Sequence, residues 1–409
     1  MPRDLTPVRV PEDDSIQTES KHTTGICVGS FIRTHREILR GISLAPALAE
    51  WTGELRAGIL TAALLAPMAF LGSCKSAPGA KPVGQPVAVA IPLGLPPIPI
   101  PNDNPPTAST VALGRRLFYD TSLSKDNSIS CASCHNPMFR FADARPRSIG
   151  VAGTLGLRHA PTLLNVAYTP SLFWDGRAAS LERQVMSPIA DPLEMNQSHD
   201  ASVAKLRDNP AYGQLFLDAF GTDDITVERV ENALASFERT LLSGNSAFDR
   251  YQYHGQKDAL TAAQIRGLAV FTDSHRGNCS SCHTIGPNNA LFIDNQFHNT
   301  GEGVGDDESF SDTGRFSVTK SAADKGAFKT PTLRDVAVSG PYMHDGKLKT
   351  LKEVVDFYAG KGNSNPNLDP KMKAINLTGT DRDDLVEFMK SLTGDLPPNS
   401  GPPGKDSSK

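Results

Sequence analysis

A mainly α-helical chain built as two tandem domains related by internal duplication is what this sequence predicts, and three observations carry the prediction. Cys131-Ala132-Ser133-Cys134-His135 recurs as Cys279-Ser280-Ser281-Cys282-His283. The run Pro161-Thr162-Leu163-Leu164-Asn165-Val166-Ala167 recurs without a gap as Pro331-Thr332-Leu333-Arg334-Asp335-Val336-Ala337, at an offset of 170 residues. The same offset lays Trp174-Asp175-Gly176 on His344-Asp345-Gly346 and Leu181 on Leu351. Ahead of each cysteine motif stands a helical lead-in, with Gly114 matching Gly267, Phe118 matching Phe271 and Asp120 matching Asp273. Self-similarity on this scale means two copies of one structural unit.

Each cysteine motif sets two thiols at the spacing that adds across two vinyl groups of a haem. The imidazole that follows can ligate the iron. A Cys-x-x-Cys pair is also half of a zinc site or a redox disulfide. Here His occupies the next position both times, and no cysteines remain in the body of the chain to complete a zinc tetrad. Two covalently bound haem c groups in two cytochrome c-type domains are therefore expected. The 409 residues are enough for two or more cores, and the 39% hydrophobic content fits a soluble globular protein. A formal charge of −4 carries no nucleic-acid or polybasic membrane signal.

Residues 1–55 are polar and mixed, include Cys27, and read as a preamble absent from the mature protein. From Arg56 an apolar run of signal-peptide length ends in Leu71-Gly72-Ser73-Cys74, which resembles a bacterial lipobox with Cys74 as the lipidated residue. Residues 75–107 are rich in Pro, Gly and Ala and read as a semi-rigid linker. The first haem domain is placed at 108–255, opening with a helix over 110–119. Val230, Leu234, Phe237 and Leu241 follow helical spacing and predict a helix over 226–242 that closes this domain. The second domain is placed at 256–395, and Thr261-x-x-Gln264 is a capping box for its lead-in helix. A tail over 396–409 reads as disordered.

Continuing the offset of 170 brings Tyr358 onto Pro188. A phenolate oxygen can ligate iron and a proline ring cannot, so either the second haem is six-coordinate beside an open first haem, or Tyr358 is a packed aromatic.

Over residues 108–395 the chain resembles the bacterial di-haem cytochrome c peroxidase family, and within it the MauG-like subgroup. The resemblance rests on Phe173-Trp174-Asp175-Gly176-Arg177-Ala178, Gln184, Asp191-Pro192-Leu193-Glu194-Met195, Phe328-Lys329-Thr330-Pro331-Thr332-Leu333-Arg334 and Pro341-Tyr342-Met343-His344-Asp345-Gly346. By that resemblance His135 and His283 are the proximal ligands of the two irons, attached through Cys131 and Cys134 and through Cys279 and Cys282. Trp174 stands between the haems, and Gln184 and Glu194 lie over the open face of the first, where Glu194 moves a proton during peroxide cleavage. The implied substrate is hydrogen peroxide. The implied electron source is a small cytochrome c or cupredoxin, or an oxidisable residue of a protein substrate, in the periplasm.

Two departures point away from a peroxidase that needs reductive activation. The loop position that holds a blocking histidine in such enzymes is Val151, and the second haem faces Tyr358 where they use methionine. The resemblance also implies a calcium ion held by the carbonyls of Ser339 and Pro341 and by an asparagine side chain. That last position is His159, and imidazole is a poor ligand for a hard cation, so calcium is in doubt. His298 is expected to support the second haem through a propionate or backbone contact. The competing reading is a non-enzymatic two-haem electron carrier, which needs a sixth ligand on the first iron; Met138 and Met186 are the nearest residues able to supply one. A gas-binding module on the open haem is a third reading.

Overall fold

Helix starts are written into this chain as reciprocal hydroxyl and carboxyl or amide caps. Thr107 and Thr110 cap the helix Ala108–Phe118, and Thr261 and Gln264 cap its counterpart Ala262–Thr272. Thr226 caps Val227–Glu238, and Thr378 with Asp381 caps Gly379–Lys390. The computed structural model describes residues 79, 81–305 and 307–404. The preamble with Cys27 and the apolar run ending at Cys74 lie outside the described residues. No described helix is long and apolar enough to cross a membrane.

The two lead-in helices each cross a later helix in the same way. Gly114 meets Val227–Glu238, where a Cβ would fall 1.9 Å from the Ala233 carbonyl oxygen; Gly267 meets Gly379–Lys390, where a Cβ would fall 2.0 Å from that of Asp384. Absence of a side chain lets the backbones touch. One turn further on, Phe118 packs on Phe237 with ring centroids 5.3 Å apart, and Phe271 packs on Phe388 at 5.0 Å. Gly267→Ala is expected to force this crossing apart and cost about 1–3 kcal/mol. Gly213→Ala, where a Cβ meets nothing within 4 Å, should leave the melting temperature unchanged or raise it. Thermal unfolding of the two haem-loaded variants checks the pair.

Two cores follow from the duplication. Leu117, Phe141, Leu163, Ile189, Leu234 and Phe237 belong to the first, and Phe271, Phe292, Val355, Leu385 and Phe388 to the second. The closing helix of the first domain ends at Glu238 rather than 242. Leu241 is buried beyond it, where the chain turns so that Asn165 can pair with the backbones of Leu241 and Ser243. Phe248, on the short helix Ala247–Tyr253, packs in the second core.

The Pro-rich tract read as a tether lies against the body from residue 81 on. An extended proline-rich backbone leaves its carbonyls without internal partners, and the body supplies donors to them. Asn245 N–H donates to Leu93 O (2.9 Å), Ala290 N–H to Gly94 O (3.0 Å) and the Tyr168 hydroxyl to Pro96 O (2.9 Å). The tail corrects in the same way: Arg115 Nε donates to Gly401 O at 2.7 Å and the Tyr119 hydroxyl to Ser400 O at 2.6 Å.

Candidate functional site

Two cavities carry the residues singled out by the repeat. Cys131, Cys134 and His135 line the first, and Cys279, Cys282 and His283 line the second. All four cysteines are free thiols. The His135 Nδ1 sits 3.0 Å from Phe141 O and 3.1 Å from Pro161 O, and the His283 Nδ1 sits 2.9 Å from Phe292 O. A carbonyl only accepts, so Nδ1 carries the proton in both rings and Nε2 keeps its lone pair for a metal. Burial holds both imidazoles neutral by pulling their pKa values down. A pair of free thiols, a correctly tautomerised imidazole and a mostly apolar lining fit haem c in both cavities.

The distal walls differ between the copies. In the first cavity stand Pro188, Gln184 on the helix Leu181–Val185, and Glu194 on the turn that Asp191 stabilises by accepting from Leu193 N–H. Burial, helped by the negative charge of Asp191, pushes the Glu194 carboxyl up to about 7 against a partial offset from Arg177. In the second cavity Tyr358, on the helix Leu351–Ala359, occupies the place equivalent to Pro188. Its hydroxyl makes no hydrogen bond to the described residues, and burial first, then the nearby thiols, raise its pKa.

Val151 is buried and does not line the first cavity among the described residues. Its N–H donates to Glu194 O at 2.8 Å, and the Thr154 hydroxyl donates to Leu193 O at 3.0 Å. The loop is thereby docked on the backbone that carries Glu194. Met138 is 83% exposed and Met186 is packed in the first core, so neither of these candidate sulfur ligands lines the cavity.

Trp174 lines both cavities, and its Nε1 donates to His159 O at 2.9 Å. Its duplicate His344 also lines both, stacked on Phe328 with ring centroids 3.7 Å apart. Arg158 locks this junction, with one guanidinium nitrogen 2.6 Å from Asp175 and another 2.6 Å from Asp312. His159 lines the second cavity with Ser339 and Pro341, and its Nδ1 is taken by the Arg145 carbonyl at 3.1 Å. An imidazole committed in this way is no better a calcium ligand than the sequence alone suggested. His298 lines the second cavity, held by carboxylates of its own domain. Its ring nitrogens pair with Asp369 (2.6 Å) and Asp294 (2.9 Å), and the Cys282 thiol first, then these two carboxylates, raise its pKa.

Sequence reasoning passed over Lys329. It lines both cavities beside Trp174, and burial pulls its ammonium down to about 8. A cation there complements the carboxylates that a haem carries. Its signal was present in the run Phe328-Lys329-Thr330, but nothing local to that run says that it faces two pockets at once.

Two haem-c domains that share a tryptophan at their junction, one walled by a proline and a carboxyl and the other by a tyrosine, define a di-haem c-type oxidoreductase. The chain belongs to the di-haem cytochrome c peroxidase family: residues 108–258 match that family and residues 264–393 match cytochrome c. It is 41% identical to the methylamine utilization protein MauG of Methylorubrum extorquens, over 72% of this chain and 81% of that protein. It is 35% identical to the cytochrome c551 peroxidase of Nitrosomonas europaea, over 73% and 84%. A solved MauG-like protein associated with microbial copper homeostasis matches with a TM-score of 0.69 and 32% identity, over 77% of this chain and 99% of that one. The protein is a peroxidase-type oxidoreductase with two covalently bound haem c groups.

Proposed function

We propose that the first haem domain reduces hydrogen peroxide on an open distal face, with electrons entering through the second domain. The observation that carries this reading is the asymmetry between equivalent walls: Pro188 with Glu194 and Gln184 in one cavity, Tyr358 in the other. Bound haem supplies redox-active iron in each domain. Glu194, poised near neutrality, accepts the proton of the peroxide oxygen nearer the iron and returns it to the departing oxygen. Gln184 offers an amide donor beside it, and Trp174 shortens the path between the two domains.

Tyr358 serves as the sixth ligand of the second haem in this reading. An anionic oxygen favours ferric iron and lowers the potential relative to a methionine sulfur. A low potential makes electron uptake from a small cytochrome c or cupredoxin less favourable, and the electron source is either such a protein or an oxidisable group on a partner protein. Haem c attachment takes place on the exported side of a membrane, so the enzyme works in the periplasm, anchored through Cys74 if the lipobox-like segment is used.

Low-temperature electron paramagnetic resonance on the fully oxidised, untreated protein tests the asymmetry. One high-spin and one low-spin ferric signal are expected, and Tyr358→Phe should convert the low-spin signal to high-spin. Two low-spin signals in the wild type would overturn the open first face and favour the electron carrier or a peroxidase that must first be reduced.

A further inference from the structure

Among the carboxyls that line the first cavity is a second glutamate that the proposed chemistry does not use. Glu238 is the last residue of the closing helix Val227–Glu238, is only 4% exposed, and lines the first cavity with Cys131 and Glu194. Its Oε2 is buried with no hydrogen-bond partner. The groups around it neutralise it only in part: Arg239 lowers its pKa, and the Arg239 Nη1 is buried with no hydrogen-bond partner of its own. Arg239 follows it in sequence, but its Nη2 is committed to Glu182 Oε1 at 2.5 Å, on the helix Leu181–Val185. Glu182 brings a further negative charge and also accepts from Asn104 at 2.8 Å. On the lead-in helix, Arg115 is turned to the Gly401 and Pro402 carbonyls and Arg116 lies over the Tyr212 ring. Cys131, whose thiol feels the Glu238 charge, becomes an uncharged thioether once haem is attached.

Peroxide reduction consumes two electrons and two protons for each O–O bond broken and gives two waters. Glu194 only moves a proton from one peroxide oxygen to the other, so the two protons that balance the two electrons must come from elsewhere. We propose that Glu238 is a second proton-carrying residue of this cavity, taking up a proton as an electron reaches the first haem and passing it on as the oxygen leaves as water. A buried carboxyl without a hydrogen-bond partner is cheapest in its protonated form, and burial raises Glu238 to about 8 despite Arg239. The anion that forms when the proton departs disfavours a second loss, so the group must reload from solvent between electrons. The inference rests on the peroxide reading given above.

The test is a potentiometric titration of the first haem, followed in its visible spectrum between pH 6 and 9, on the intact di-haem protein. One proton taken up per electron lowers the midpoint potential by about 59 mV for each tenfold fall in proton concentration. Wild type is expected to be flat below about pH 8, where Glu238 is already protonated, and to approach that slope above it, Glu194→Gln to keep this break and Glu238→Gln to lose it, with Glu238→Asp restoring a slope. Peroxide turnover of Glu238→Gln should fall about 10²-fold, the lower end of the effects seen when an acid–base group is removed. A wild-type potential that is flat across this range overturns the proposal without any variant being needed. A slope retained in Glu238→Gln overturns it as well, assigning the proton to another group. If instead wild type shows the slope but no peroxide turnover, the peroxide reading falls while the proton linkage of Glu238 stands.

Discussion

Glu194→Gln is expected to lower peroxide turnover by about 10²–10⁴-fold while both haems remain attached, the range over which a positioned acid–base group acts. That loss corresponds to about 2.7–5.4 kcal/mol of barrier. The amide keeps the shape and the hydrogen-bonding capacity of the side chain and removes only the ability to take and return a proton. The pH dependence follows from the raised carboxyl. Glu194 must be ionised to accept the peroxide proton, and burial and Asp191 set its pKa at about 7. Turnover in wild type should therefore rise with pH through about 7, and this rising limb should be missing in Glu194→Gln. Arg177 offsets the shift only in part because its guanidinium is committed elsewhere, 3.0 Å from Asp175 and 3.4 Å over the Phe173 ring. Steady-state rates against pH for the two proteins, with haem content checked in parallel, decide the matter. An unchanged rate in Glu194→Gln removes this residue from the mechanism.

Arg334→Met is expected to be the most destabilising single change in the second domain, at about 3–5 kcal/mol, because it leaves Asp249 as a buried anion without its cation. Both side chains are essentially inaccessible and meet as a fork, Nη1 to Oδ2 at 2.9 Å and Nη2 to Oδ1 at 2.8 Å. The same guanidinium donates from Nε to Ala290 O at 2.7 Å and from Nη2 to Gly94 O at 2.8 Å. One side chain thus fastens the short helix Ala247–Tyr253, a loop of the second domain and the Pro-rich tract. Lysine cannot reproduce the planar fork, so Arg334→Lys should recover little of the loss. Denaturant unfolding of the haem-loaded protein, followed by tryptophan fluorescence and haem absorbance, gives the comparison. A loss under 1 kcal/mol for Arg334→Met would mean that the pair contributes no more than a surface ion pair.

Much of the site was legible before any fold was known, because it depends on residue types at short spacings. A Cys-x-x-Cys-His motif carries its own chemistry. The capping box at Thr261 is a four-residue signal and starts its helix as read. The offset of 170 residues correctly paired Asn165 with Asp335, which share the left-handed backbone (φ 63° and 59°) and the same role as backbone anchors. It also set Pro188 opposite Tyr358, but spacing left the tyrosine equally suited to packing; only the folded chain places it on the cavity with His283.

What the sequence by itself determined, then, is the covalent attachment of two haems and the duplication; Glu194 entered only as what the family resemblance implies. Tertiary structure alone decided what depends on burial and on partners distant in the chain. Proline content marks the 81–107 segment as extended, but whether its carbonyls meet water or donors depends on contacts such as Arg334 to Gly94, 240 residues apart. Met138 and Met186 looked alike as candidate ligands, and only packing sends one to solvent and the other into the core. Glu238 and Lys329 are ordinary charged residues in their local sequence. Their pKa values shift because the first cavity closes around Glu238 and both cavities around Lys329, and desolvation, which shifts these two groups more than any local neighbour, is a property of the whole fold.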